Sequence, residues 1–587
     1  MSLLSILSNA TTALLNTQSQ INVVSSNIGN AQNPNYSQRN AVVIDKSPQN
    51  GGSTQVVDVT RAVDGTLQTN YLNQTTNGAA TTTVNQLYTQ LEQLTGSSTA
   101  SPVLSSAMQS FQNAWQALQA TPEDTTVQAQ VLNSAKSLVN TIQSVSHGVE
   151  QIASQVTTQL GTDVSTLNSS LSQIATLNQQ IASGTNEGQD TTALQDTRDT
   201  LITTVAGLVP VQQQMNDDGT IYLSTPSGVA LVQQSANSFS YDATTDSIYA
   251  SSDTSKLSLN GALSNGQIGA EIGILANTGA QTGSDVSTLN SYLAQVNTIN
   301  AAITSGGVAA TSAQATQLAT LKTAIQAELP ATTTTGADGQ VYFTLGSTTL
   351  ADASGDYPLA YNSTTNTIYL ASDSTQTSLA SSISSGTLHT DLNSFTAVAN
   401  PTAAGTGALA NLRTQLNSLA DLFYNPDIPT AFQAAYNPTG TGTDFFTGTT
   451  NGSSDRFTLA VNATTSTLAS TISTTPTIAE AVAATFTATT SSFDAGGVSV
   501  SSTNFMGIAN AIASAQSSDA ATATSNQTTA TANISAAQQA YRNVTGVSSD
   551  QQLAQLVSLQ NAYSAAAKII STVQELETTL LTAVGGS

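Results

Sequence analysis

The sequence predicts a multidomain α+β protein. Its long terminal helices pair as a coiled coil, and between them lie a mainly helical rod domain and two duplicated, mostly-β outer domains. Three observations predict this. Each end of the chain carries one narrow apolar seam. Residues 205–282 change from helical periodicity to strand-like alternation. Residues 283–402 repeat a unit that has already occurred.

The C-terminal seam runs Leu556, Leu559, Tyr563, Ala566, Ile570, Val573, Leu576, Leu580, Val584, at steps of three or four. The stretch 551–584 has no Pro or Gly and is built mostly of good helix formers. A mean step near 3.5 is that of a helix seeking a partner helix rather than a broad core. Leu3, Leu7, Ala10, Leu14, Thr17, Ile21, Val24 and Ile28 form the matching N-terminal seam, with Thr17 the one polar interruption. The two ends are therefore expected to pair; the alternative is that each helix caps a globular core on its own.

After the first helix, Asn27, Asn30, Asn33, Pro34 and Asn35 stop the helix, because Asn tolerates the left-handed conformation and Pro forbids continuation. Val42 to Ile44 and Val56 to Val59 predict a hairpin turning at Gly51-Gly52. Helix returns from Asp64 to Leu94. Leu104, Met108, Phe111, Trp115 and Leu118 mark the next helical face, and Pro122-Glu123-Asp124 reads as the first turn of another. A long helical zone follows over 127–183, with His147-Gly148 a candidate break. Its last part, from Leu160 to Ile181, is again a narrow seam. Strand pieces around Ile221, Val229, Phe239 and Ile248 make up 205–282. After the repeat, helix resumes near Leu412. The Thr/Ser-rich stretch 450–500 is expected to form strands, and 504–543 to be helical.

The repeat is explicit. GTDVSTLNSSLSQIATLNQQIASG at 161 returns as GSDVSTLNSYLAQVNTINAAITSG at 283, DDGTIYL at 217 as ADGQVYF at 337, and YDATTDSIYASSD at 241 as YNSTTNTIYLASD at 361. Blocks in one order at nearly one offset mark a tandem duplication. Asp196 and Asp199 flanking Arg198 invite an active-site reading. The second copy carries Thr316, Leu318 and Ala319 there, so a surface or interdomain ion pair is the preferred reading. The expected partition is 1–36 with 545–587, 37–204 with 403–544, 205–282, and the inserted copy 283–402.

Composition excludes several functions. Eleven Lys plus Arg stand against 35 Asp plus Glu, a net charge of -24, so there is no basic footprint for nucleic acid or an anionic membrane. No apolar run reaches membrane-spanning length. Without Cys there is no disulfide, thiolate site or cysteine nucleophile. His147 and His389 are far apart, each without a patterned acidic neighbour, and are expected at the surface or at helix ends. With no Gly-rich phosphate loop, no metal-ligand spacing and no distinctive carboxylate pair, the expectation is a non-enzyme with no cofactor and no metal. The first basic residue is Arg39, and the N-terminal apolar segment is amphipathic, so no Sec signal is read.

Several motifs together resemble the bacterial flagellar axial family, most closely its hook-associated protein 1 type. They are Asn27-Ile28-x-Asn30 with Pro34-Asn35-Tyr36-Ser37, then Val59-Thr60-Arg61 with Asp64, Leu194 to Asp199, Asp444-Phe445-Phe446, and Thr545-Gly546-Val547 with Asp550, Leu556, Gln560, Tyr563 and Ala565 to Ile570. The chain departs from the family with Asn35 where Gly is usual and with Gln551 and Gln552 where acids are usual. The resemblance covers most of 1–282 and 403–587. It implies an extracellular structural subunit at the hook–filament junction, exported unfolded through the flagellar type III channel. It also implies an assembly interface on Leu3, Leu7, Leu14, Ile21, Val24, Ile28, Leu556, Leu559, Tyr563, Ile570, Val573, Leu576 and Leu580. The implied partners are identical subunits, hook protein, the next junction protein on the filament side, and an export chaperone on the C-terminal helix. The competing readings are another axial protein such as hook protein, or a secreted adhesin or surface-layer protein.

Overall fold

Helix α1 (Leu3–Gly29) opens the chain and leads to the expected hairpin, β1 (Arg39–Lys46) antiparallel to β2 (Ser53–Arg61), with a register shift between Val42 and Val43. The structure, a computed structural model, describes residues 3–585 apart from 47–52, 98–101, 217, 244–246, 254–255, 276–279, 307–308, 337–338, 353–354, 363–366, 376, 380–381, 384–406, 425–429, 439, 441–442, 449–458 and 490. The turn read at Gly51-Gly52 and His389 lie outside the described residues. Among those described, the chain is mostly helical, with small antiparallel sheets and a long C-terminal helix.

Asp64 starts α2 (Gly65–Thr95): its Oδ1 accepts from the Thr66 and Leu67 N–H groups at 2.9 and 3.0 Å. Next come α3 (Val103–Ala120) and α4 (Thr125–Asn186). Pro122 to Asp124 are not the first turn of α4, as read from the sequence, but a turn before it. Asp124 caps the helix from outside, accepting from Thr126 N at 2.8 Å. Nor does α4 break at His147-Gly148; Gly148 provides room for Leu94, into which any Cβ would collide. Helix α5 (Thr192–Leu208) leads to a sheet of order β3 (Gln212–Met215), β4 (Ile221–Ser224), β5 (Ala230–Val232). The pair β6 (Phe239–Asp242) and β7 (Ser247–Ala250) precedes a 3-10 turn, Asn260–Leu263, and α6 (Gly266–Leu275).

The inserted copy holds α7 (Ala280–Gly306), α8 (Ser312–Glu328), β8 (Thr332–Thr335), β9 (Val341–Leu345), β10 (Thr348–Asp352), β11 (Gly355–Asp356), β12 (Leu359–Asn362) and β13 (Thr367–Leu370). Sheet order is β11-β10-β9-β8, with β12-β13 separate. There follow α9 (Ala408–Asp421), α10 (Ala431–Tyr436), β14 (Phe446–Thr447) paired with β15 (Ala460–Val461), α11 (Thr465–Thr474), α12 (Thr477–Thr487), β16 (Ser491–Ala495) paired with β17 (Val498–Thr503), α13 (Phe505–Thr545) and α14 (Ser549–Gly585). Much of 450–500 is thus helical where strands were expected. Leu468 and Ile472 on α11 and Ile478, Val482 and Phe486 on α12 are buried at helical spacing, and Thr464 closes a capping box on Thr467. Burial of that face outweighs the low helix propensity of the surrounding Thr.

The chain divides into two units, Met1–Ala79 with Ser165–Phe239 and Thr529–Ser587, and Ala80–Val164 with Ser240–Thr528. In the second unit the core is aromatic. The Phe111 ring lies 5.4 to 6.3 Å from those of Trp115, Phe423, Phe432, Phe445, Phe446 and Phe486. The Phe445-Phe446 motif is therefore buried core. The inserted copy has its own core, where Leu289, Leu293 and Val296 of α7 meet Leu318 and Ile325 of α8 and Phe343, Leu345 and Leu350 of the sheet. His147 is at the surface in mid-helix, 3.3 Å from Glu150, a neighbour one turn along that the sequence reading passed over.

The two repeat copies use the same side-chain clamps. Asn178 donates to the Ile221 carbonyl and accepts from the Ile221 N–H, and Asn168 does the same to Phe239. In the inserted copy Asn300 clamps Val341 and Asn290 clamps Leu359 identically. Each Asn secures one strand residue to the helix, satisfying buried backbone groups.

Replacing Phe111 with Ala removes the ring that all six neighbours share. An expected loss of about 4 kcal/mol is read from urea unfolding of the full chain; a loss below about 1 kcal/mol would contradict this account of the core.

Candidate assembly interface

The terminal helices α1 and α14 lie against each other, and the C-terminal end of α1 meets the start of α14, so they run antiparallel. Val24 and Val573 are buried, as are Ala10 and Ala566. Leu3, Leu7, Leu14, Ile21, Ile28, Leu556, Leu559, Tyr563 and Ile570 are half-buried along the same seam. Thr17 does not interrupt it: it is buried with its hydroxyl donating to the Ala13 carbonyl at 2.7 Å. Leu576 and Leu580 are exposed instead. The reason is length. Leu3 lies as many residues from Asn27 as Leu576 lies from Gln552, and rise per residue is equal in both helices, so α14 outruns its partner there. Leu4, Leu15, Leu553, Val557, Ile569 and Leu581 are also exposed, off the seam.

A polar joint fixes the register. Asn27, 1% exposed, donates through Nδ2 to the Arg39 carbonyl and to Gln552 Oε1, both at 2.9 Å. Its Oδ1 accepts from Tyr36 Oη at 2.8 Å and from Arg39 N–H at 2.9 Å. Gln38 N–H donates to the Thr545 carbonyl at 2.7 Å. Gln552, one of the two amides standing where acids are usual, thus keeps a buried role as acceptor. Asn27 was expected to end the helix, but α1 continues to Gly29 because the Asn27 side chain is spent on this joint rather than on a left-handed turn. The available signal was a polar pair, Asn27 and Gln552, at the end of each apolar seam.

Two Arg side chains sort the acids of α5. Arg61, at the end of β2, reaches Asp196 and Asp199 with one Nη1 at 2.8 Å each, and its Nε donates to Gln195 Oε1 at 2.9 Å. Burial opposes its charge, but Asp199 and then Asp196 outweigh burial and hold its pKa above the ordinary value. Arg39 stands 3.8 Å from Asp196. Arg198 keeps its Nε 3.8 Å from Asp199 Oδ1 but makes its hydrogen bonds elsewhere, donating to Asn178 Oδ1 at 3.2 Å and the Gly219 carbonyl at 2.7 Å; burial pulls it down to about 10. The ion pairing inferred around Arg198 is therefore centred on Arg61, and it is buried rather than superficial. Tyr541, stacked on Tyr71 at 6.1 Å, is pushed up by burial and then by Asp199. Nothing here places a nucleophile beside a base. Among the described residues no His, Asp or Glu group could hold a metal ion, and no helix is long and apolar enough to cross a membrane.

Comparison with known proteins gives the class first. Residues 538–583 match the family described as flagellar basal body rod FlgEFG protein C-terminal, so the class that the C-terminal helix resembles is that of flagellar rod proteins. Beyond it the resemblance is to flagellar hook-associated protein 1. Residues 88–278 match the family described as flagellar hook-associated protein FlgK helical domain. Proteins called flagellar hook-associated protein 1 are similar in sequence: that of Salmonella typhimurium is 26% identical over 239 residues and that of Escherichia coli 27% over 241. Both matches cover 39% of this chain and 43% of the relative, less than half of its length. The Bacillus subtilis protein is 28% identical over 130 residues, 22% of this chain and 26% of its own. A solved structure titled flagellar hook junction protein FlgK from Burkholderia pseudomallei is 24% identical, covering 39% of this chain and 43% of that one, with a TM-score of 0.32.

Replacing Arg61 with Met would leave Asp196, buried, and Asp199, half-buried, without the guanidinium that hydrogen-bonds both, with only Arg39 and Arg198 remaining at 3.8 Å. An expected cost of about 3 to 5 kcal/mol at neutral pH is measured by urea unfolding. A cost below about 1 kcal/mol, the range of an exposed pair, would argue against this reading.

Proposed function

We propose that the chain is a structural subunit of the bacterial flagellum at the junction of hook and filament, exported unfolded by the flagellar type III system. In this reading α1 and α14 pair as a coiled coil, and their exposed apolar residues, Leu4, Leu15, Val557, Ile569, Leu576 and Leu580 among them, pack against neighbouring copies. One observation carries it: a single chain matches an axial-family C-terminus over 538–583 and a hook-associated helical domain over 88–278. The second match favours a hook-associated protein over hook protein, and the pair disfavours an adhesin or surface-layer protein. Hook protein, the next junction protein and an export chaperone on α14 are the partners proposed with it. The division into terminal, rod, β-rich and inserted domains belongs to the same proposal, with 283–402 a decorating copy.

The test is complementation of a deletion strain. Val573→Asp places a charge in the buried seam, where desolvation costs on the order of 3 kcal/mol. Electron microscopy of hook-basal bodies should then show hooks without filaments, with the variant still recovered in the medium. Normal filaments on Val573→Asp cells, or on cells lacking the protein altogether, would overturn the proposal.

A further inference from the structure

Helix α6 is where the inserted block departs and returns. Gly407 N–H donates to the Gly273 carbonyl at 3.0 Å, and α9 packs beside α6. The helix is tied to α4 by polar side chains. Gln267 Nε2 donates to Asp163 Oδ2 at 2.6 Å and to Glu271 Oε1 at 3.3 Å, and Gln159 Nε2 donates to Asp163 Oδ1 at 3.1 Å. Asp163 is 6% exposed and Glu271 2%. Glu271 Oε2 is buried and no donor reaches it.

The surroundings supply no compensating cation. Among the described residues neither acid forms a salt bridge with Lys, Arg or His. The 3-10 turn Asn260–Leu263 has no charged residue. Helix α9 contributes Asp421 and Arg413, and Arg413 lies 3.7 Å from Glu150. Tyr241 of β6 packs near Gly161, two residues before Asp163. Two carboxyl groups can bond to each other only through a proton, and with both ionised they would place like charges together out of water. Burial first, then the charge of Asp163, push the Glu271 carboxyl up to about 9.

The sequence shows the same economy twice. The second copy replaces Asp196, Arg198 and Asp199 with Thr316, Leu318 and Ala319, yet at the positions matching Asp163 and Glu271 it has Asp285 and Asp391. Asp391 lies outside the described residues.

We propose that Asp163 and Glu271 form a proton-held latch that docks α6, the pedestal of the inserted domain, onto α4 and loosens as Glu271 loses its proton in alkali. In the unfolded chain a Glu gives up its proton near its ordinary value of about 4.3, and in the fold near 9. The latch is at full strength below the first value, weakens with each pH unit between the two, and loses nothing further above the second. The limiting slope is one proton, or about tenfold in the opening equilibrium per pH unit.

Hydrogen exchange on the full chain tests this, with protection factors for 266–275 corrected for intrinsic rates and compared at pH 5.5 and 8.5. In the parent protein protection should fall at least about tenfold across that range, and in Glu271→Gln it should stay nearly level. Glu271→Met serves the same purpose should the amide disturb folding. Glu150→Gln, which alters an acid outside the pair, should retain the parental fall. No fall in the parent, or an equal fall in a Glu271 variant, overturns the latch.

Discussion

One amide closes the joint between the two ends of the chain. Asn27 uses both Nδ2 hydrogens and both acceptor positions of Oδ1, on Arg39, Gln552 and Tyr36. A buried amide so occupied has no alternative register available, because slipping α14 by one residue would leave Asn27 and Gln552 unpaired out of water. The apolar seam by itself is forgiving: Leu, Ile and Val slide past one another at little cost. The polar joint therefore sets where the seam begins, and the unequal lengths of α1 and α14 set where it ends.

Just beyond that joint, charge does the same work. Arg61 comes from the hairpin that follows α1, and Asp196 and Asp199 from α5, so their pairing ties the start of the chain to the helix before the β3-β4-β5 sheet. Arg198 holds the opposite side of α5, on Asn178 and the Gly219 turn. The inserted copy retains the Asn clamps that every such helix-and-sheet unit needs. It lacks the acids that only a unit adjoining Arg61 can use.

The elements with sustained periodicity were legible from sequence: α1, the later part of α4 from Leu160 to Ile181, α14 and the repeated blocks. Periodicity reports which face is buried, and burial dominates the energetics of a helix. Thr464 to Thr487 was misread for the converse reason. Thr propensity is local and favours strands, whereas Leu468, Ile472, Val482 and Phe486 are brought into one core by contacts distant in sequence. The continuity of α4 through Gly148 was equally hidden, because the reason for that Gly is Leu94, on another helix.

The sequence by itself determined that α1 and α14 are seamed helices, that blocks of sequence recur at nearly one offset, and that the composition holds no Cys and few basic residues. These follow from periodicity, offset and residue counts, which are properties of one dimension. Only the tertiary structure decided that Arg61 rather than Arg198 hydrogen-bonds both Asp196 and Asp199, that Asn27 and Gln552 meet, and that the cover given by α1 runs out at Leu576 and Leu580. Each of those depends on which side chains converge from segments far apart in the chain. Hydrogen bonds and ion pairs act over a few ångströms, so no spacing along the sequence can report them.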